Sequence, residues 1–117
     1  MSRKISLYIE DMLASISKIS DYITGMNYDD FESNGLVVDA VTRNLEIIGE
    51  ATKRIPDTIR DTYPAIPWKS IIGLRNTVLH EYLGIDKEII YKIITEDFRK
   101  TEIELKKCLT YLKSIEK

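Results

Sequence analysis

The stretch ISLYIEDMLASISKISDYITG, residues 5–25, decides the fold class. Its residues Ile5, Ile9, Met12, Ile16, Ile19 and Ile23 recur in alternating steps of four and three. Side chains so spaced fall on one stripe of a helix with 3.6 residues per turn, whereas a half-buried strand would alternate every second residue. The segment therefore predicts a bundle helix that ends near Gly25.

The same rhythm continues outward. Val37, Val41, Asn44, Ile48, Ala51 and Ile55 form a second stripe. Ser33 and Asn34 are its candidate caps and Pro56 stops it, which places helix two over residues 35–54. Residues 56–63 read as a short connecting helix with proline at its start, closed by Pro64. From the Pro67 turn a helix is expected through Trp68, Ile71, Leu74 and Val78. Gly84 should end it at Tyr82 or Leu83. Asp86 caps a last helix whose stripe runs Tyr91, Ile94, Phe98, Thr101, Leu105, Cys108, Leu112 and Ile115, about 45 Å long at the helical rise. The expected fold is all-α: an up-and-down bundle of four main helices plus one short helix.

Composition sets the outer limits. The 117 residues suit a single domain over 1–117. Apolar residues at 44% supply a core and charged residues at 31% supply a polar surface. Apolar runs such as 35–38 are too short to span a bilayer, and no signal-peptide hydrophobic region follows Met1, so a cytoplasmic location is expected. One cysteine, Cys108, cannot form an internal disulfide, and on the apolar stripe it reads as core. With His80 as the single histidine there is no ligand set for a structural zinc, and neither a metal nor a cofactor is expected. A net charge of −2 argues against a general nucleic-acid coat while allowing a local basic site.

The chemistry concentrates in residues 75–82. Arg75, Asn76, His80 and Tyr82 bring a permanent cation, an amide, an imidazole and a phenol within two turns of one helix. Asn76 and His80 share a face, whereas Arg75 is about 140° around the axis from His80, so Arg75 reaches around or acts across an interface. A histidine can take the proton of a ribose 2′-hydroxyl, and an arginine can clamp the phosphate as charge develops. Asn76 can orient the imidazole or bind a phosphate oxygen. A plainer reading stands beside this: a lone histidine in a satisfied position, an arginine paired with a carboxylate, a tyrosine packed at a helix end, and Gly73 permitting close helix contact. On helix two, Glu46 and Glu50 share a face, as do Glu50 and Arg54, which reads first as an exposed ladder of ion pairs.

Residues 68–86, WKSIIGLRNTVLHEYLGID, carry arginine, four residues, histidine, one residue, tyrosine. Residues 41–51, VTRNLEIIGEA, form a second block. Together they closely resemble the characteristic stretches of HepT-like HEPN proteins, over essentially the whole chain. The resemblance implies a homodimeric bundle whose motif helices face one cleft, with Arg75 and His80 catalytic. It raises Arg43 and Glu50 as cleft-lining candidates. It further implies an RNA substrate and the toxin role of a type VII toxin–antitoxin system. The partner would be a minimal nucleotidyltransferase antitoxin that transfers AMP to Tyr82. The alternative is a non-catalytic helical binding subunit of that nucleotidyltransferase.

Overall fold

A computed structural model describes residues 3–77 and 86–116, with the backbone alone for 75–77. Its elements are α1 (Ile5–Tyr22), α2 (Tyr28–Ser33), α3 (Gly35–Lys53), α4 (Asp57–Thr62), α5 (Trp68–Thr77), α6 (Lys87–Lys92), a π-helical turn (Ile93–Asp97) and α7 (Phe98–Ile115). The described residues contain no strand. The all-α fold class expected from the stripes is the one observed.

Helix α1 buries Ile9, Met12, Ile16 and Ile19, with Ile5 and Ile23 packed at the edges. It lies mainly against α3 and α7. After α1 the chain turns at Gly25, whose φ of 76° lies in the left-handed region where glycine alone pays no steric penalty. The first turn of α1 has no cap of its own at Lys4. It is capped from the far end of the chain: Glu116 accepts from the Ser6 backbone N–H at 3.1 Å and from the Ser6 hydroxyl, and Lys113 pairs with Glu10 at 2.8 Å. A carboxylate at a helix N-terminus meets both the orphan N–H groups and the positive end of the dipole.

Three local expectations need correction. Ser33 is not a cap: it closes α2, a short helix absent from the sequence reading, and its hydroxyl donates to Asp29 O at 2.8 Å. Asn27 opens α2 through a reciprocal capping box with Asp30, and Asn34 alone caps α3 by accepting from Val37 N. Six residues are too few to display a stripe, which is why periodicity passes over α2. The buried face of α3 is also rotated from the expected one, since Val38, Leu45 and Thr52 join Val41, Ile48 and Ala51, while Val37 is half-buried. A helix touched on both flanks buries more than a single stripe.

The third correction concerns the last helix, which runs from Lys87 to Ile115 as expected but through a π turn. Ile90, Ile94 and Phe98 are all buried although two consecutive steps of four separate them. One widened turn absorbs the extra residue and keeps all three on the core side. Thr101, Leu105, Cys108 and Leu112 then follow in regular α-helical rhythm, whereas Ile115 is exposed. Cys108 is fully buried, and burial pushes its thiol up to about 11, so it is a packing residue as read from the sequence.

Candidate active site

The element that carries Arg75 is aimed by three anchors. Arg60 of α4 donates to Ile55 O at 2.8 Å and to Thr52 O at 2.9 Å, satisfying carbonyls at the end of α3. Trp68 is buried at the start of α5, and its indole N–H donates to Tyr63 O at 3.0 Å and to Arg60 O at 3.2 Å. Ile66 is buried, and its backbone N–H donates to Tyr63 O at 3.1 Å. The connector of residues 56–67 is therefore a fixed corner that turns α5 back along α3.

The two helices run antiparallel and close. A methyl at Gly49 would sit 3.7 Å from Ile71 O, so the α3 backbone packs against that of α5 there. A small groove runs over this contact, lined from Gly49 and Ile71 to Leu45, Glu46 and Leu74. At Gly73 a methyl would meet nothing within 4 Å, so the close helix contact expected there belongs to Gly49 instead.

Arg75 and Asn76 occupy the last described turn of α5, so the expected helical setting holds at the level of the backbone; their side chains lie outside the description. His80, Tyr82 and the expected stop at Gly84 lie outside the described residues. The chain is described again at Asp86, whose carboxylate accepts from Ile89 N and starts α6. Helix α6 is tied to α2: the Tyr91 hydroxyl donates to Met26 O at 3.0 Å, its ring contacts Tyr28 and Phe31, and Lys87 Nζ donates to Glu32 O. The motif is thus bracketed by two anchored helices. The α2–α6 side is acidic. Tyr28 titrates above its usual value because of desolvation first and the charges of Glu88, Glu32, Asp86 and Asp29 second.

Arg43 and Glu50 line an open cleft of about 390 Å³ between α3 and α1, together with Tyr8, Asp11, Ile47 and Arg54. Asp11 is held by Arg3 at 2.7 Å, and the Arg3 guanidinium lies 4.8 Å from the centre of the Tyr8 ring. The expected ladder on α3 is largely unformed. Glu50 pairs with Lys53 at 3.2 Å, and Arg43, Glu46 and Arg54 make no ion pair among the described residues. Lys53 takes the carboxylate that the four-residue spacing had offered to Arg54. Tyr8 and Asp11 were missed as cleft residues because both sit off the apolar stripe of α1 and read there as ordinary surface.

Asn44 is a buried polar residue within the second sequence block. Its amide N–H donates to Ala40 O at 2.9 Å, while its carbonyl oxygen has no partner among the described residues. No group of His, Cys, Asp or Glu residues able to hold a metal ion occurs among the described residues. No described helix is long and apolar enough to cross a membrane.

A family model described as "Ribonuclease HepT-like" matches residues 12–108, from the middle of α1 to the buried Cys108 on α7. The chain belongs to the HepT-like HEPN family. Among its relatives, "Putative RNase MJ1380" of Methanocaldococcus jannaschii is 37% identical over 103 residues, covering 88% of this chain and 94% of that protein. "Putative RNase TTE0752" of Caldanaerobacter subterraneus is 33% identical over 102 residues, 87% of this chain and 91% of the relative. "Probable ribonuclease HepT" of Thermococcus cleftensis is 35% identical over 97 residues, 83% and 88% of the two chains. No solved structure matches significantly. The HepT-like match contains both blocks, so the α3 and α5 segments packed at Gly49 and Ile71 are the segments that carry the resemblance.

Proposed function

We propose that this HepT-like protein is a metal-independent endoribonuclease and the toxin of a type VII toxin–antitoxin pair. The observation that carries the reading is the family match across residues 12–108, which includes Arg75, His80 and Tyr82 in the family spacing. In the reaction His80 removes the proton of a ribose 2′-hydroxyl, and the freed oxygen attacks its own phosphorus. The bond to the 5′-oxygen breaks and that oxygen is protonated. The products are a 2′,3′-cyclic phosphate and a 5′-hydroxyl, with no outside oxidant or cofactor. Arg75 stabilises the charge that grows on the phosphate oxygens, and Asn76 orients the imidazole or binds one of those oxygens. The protein works as a homodimer, which lets groups from a second subunit offset the angle between Arg75 and His80.

Control falls to a nucleotidyltransferase partner that joins AMP to the Tyr82 phenol from ATP, with pyrophosphate leaving. The added phosphate is anionic and bulky beside the catalytic turn. It would compete with the substrate phosphate for Arg75.

The deciding experiment incubates purified protein with RNA and reads the ends. Wild type should leave cyclic phosphate ends, and His80→Ala and Arg75→Ala should leave RNA uncut while retaining wild-type circular dichroism. Equal cleavage by a folded His80→Ala protein would remove the catalytic assignment. RNA left intact by every form, with stable capture of the nucleotidyltransferase, would instead favour the binding subunit. Mass spectrometry after reaction with the nucleotidyltransferase and ATP should find AMP on Tyr82 and none on the Tyr82→Phe protein.

A further inference from the structure

A cleft of about 120 Å³ lies between α5 and the π turn, and the chemistry proposed above makes no use of it. Ile71 and Leu74 form one apolar wall, and Ile93 and Phe98 form the other. The π turn shapes the second wall. Phe98 N donates to Ile93 O five residues back, so the widened turn buries Phe98 while Ile93 and Asp97, at its two ends, both line the cleft. Single π turns inside α-helices occur frequently at functional sites. Leu74 is the residue before Arg75, so the cleft runs along α5 as far as the turn that carries the proposed chemistry.

The polar groups at the cleft select its occupant. Thr101 is already committed, since its hydroxyl donates to Asp97 O at 3.2 Å. The Ser70 hydroxyl and the Asp97 carboxylate are exposed and have no hydrogen bond or ion pair among the described residues. An ionised carboxylate only accepts, whereas a hydroxyl can donate. The complement is a flat apolar ring whose edge carries one acceptor beside two donors. Guanine has that edge: O6, then N1–H, then the N2 amino group. Uracil flanks its single N–H with two carbonyl oxygens, and adenine and cytosine place a bare ring nitrogen beside their amino group. Each of these sets lone pairs against the lone pairs of Asp97. Unstacked bases in RNA are commonly read on this Watson–Crick edge. Lys69 beside Ser70 and Lys100 one turn after Asp97 are exposed and make no ion pair among the described residues, so the rim offers cations to the phosphates flanking a base.

We infer that the cleft between α5 and the π turn takes a guanine base of the RNA substrate, Asp97 accepting from N1–H and N2–H and Ser70 donating to O6. The inference rests on the nuclease reading and supplies the sequence feature that reading leaves open: RNA is cut beside guanosine.

The test uses UUGUU with a 2′-O-methyl group on every ribose, which cannot be cleaved, and reads binding by fluorescence anisotropy. Wild type should bind it about 10- to 100-fold more tightly than UUUUU, with the inosine form, which lacks the N2 amino group, between the two. Asp97→Asn should erase the difference. Glu96→Gln removes the same charge outside the cleft and should keep it. Sequencing of cleaved RNA should find guanosine at one fixed position within two nucleotides of the cut. Equal affinity for UUGUU and UUUUU, a preference that survives Asp97→Asn, or one lost equally in Glu96→Gln would each overturn the inference. GMP binding as tight as that of UUGUU would make the cleft a free-nucleotide site and overturn the substrate assignment. RNA cut with no guanosine preference in either assay removes this inference alone, whereas guanine-selective binding by a protein that leaves RNA intact supports the cleft and removes the nuclease reading.

Discussion

Gly49→Ala should make the protein more stable, although Gly49 packs against the backbone of α5. A methyl there lies 3.7 Å from the carbonyl oxygen of Ile71, an ordinary van der Waals separation, so α5 need not move. Gly49 lies well inside α3, and glycine in a helix interior costs about 0.8–1.0 kcal/mol relative to alanine. The substitution should therefore add about 1 kcal/mol, seen as a rise of about 4 °C in Tm for a domain of this size. RNA cleavage should be unchanged because the helix that carries Arg75 keeps its place. Gly49→Phe makes the contrasting case. Its ring extends well beyond a Cβ that already lies in contact with Ile71 O, so it wedges α3 from α5 and should cost about 1–3 kcal/mol. Cleavage should fall more steeply than stability, because the displacement is delivered one turn from Arg75. Thermal unfolding followed by circular dichroism, beside an RNA cleavage assay, measures both. A Gly49→Ala protein with a lower Tm than wild type would refute the reasoning, since the packing at Ile71 would then be tighter than the distance indicates.

Cys108 should resist aromatic disulfide reagents at pH 8 until the protein is unfolded, because its thiol is buried and held up to about 11. Its folded value is raised above that of the unfolded chain, so its contribution to stability is complete below about pH 9 and is lost as pH rises toward about 11; a Cys108→Ala protein should lack that part of the alkaline slope. Glu116→Ala removes the cap that Glu116, just past the end of α7, supplies to α1 at Ser6 and should cost about 1 kcal/mol by urea unfolding. Leu105→Ala opens a cavity at a fully buried position and should cost about 2–5 kcal/mol, with activity retained at temperatures where the protein stays folded.

The sequence by itself determined the helices whose stripes are long enough to show a period. Ile9, Met12, Ile16 and Ile19 of α1 and Leu105, Cys108 and Leu112 of α7 are buried as their spacing implies, and Asn34 and Asp86 cap where they were expected to. Family membership was equally legible, because the spacing of Arg75, His80 and Tyr82 and the block at 41–51 are properties of the chain alone. Only the tertiary structure decided which flank of α3 meets which neighbour. Periodicity gives one stripe per helix, but a helix packed on two sides buries Val38, Leu45 and Thr52 as well, and this depends on where α1 and α5 lie. The π turn before Phe98 also belongs to tertiary structure. Two steps of four stay on one face only if the helix widens there, and burial of Ile90, Ile94 and Phe98 together stabilises that widening. The same holds for Glu50, which pairs with Lys53 and leaves Arg54 at the cleft without an ion pair among the described residues: both partners lie within reach on an exposed helix face, and differences of a few tenths of a kcal/mol choose between them.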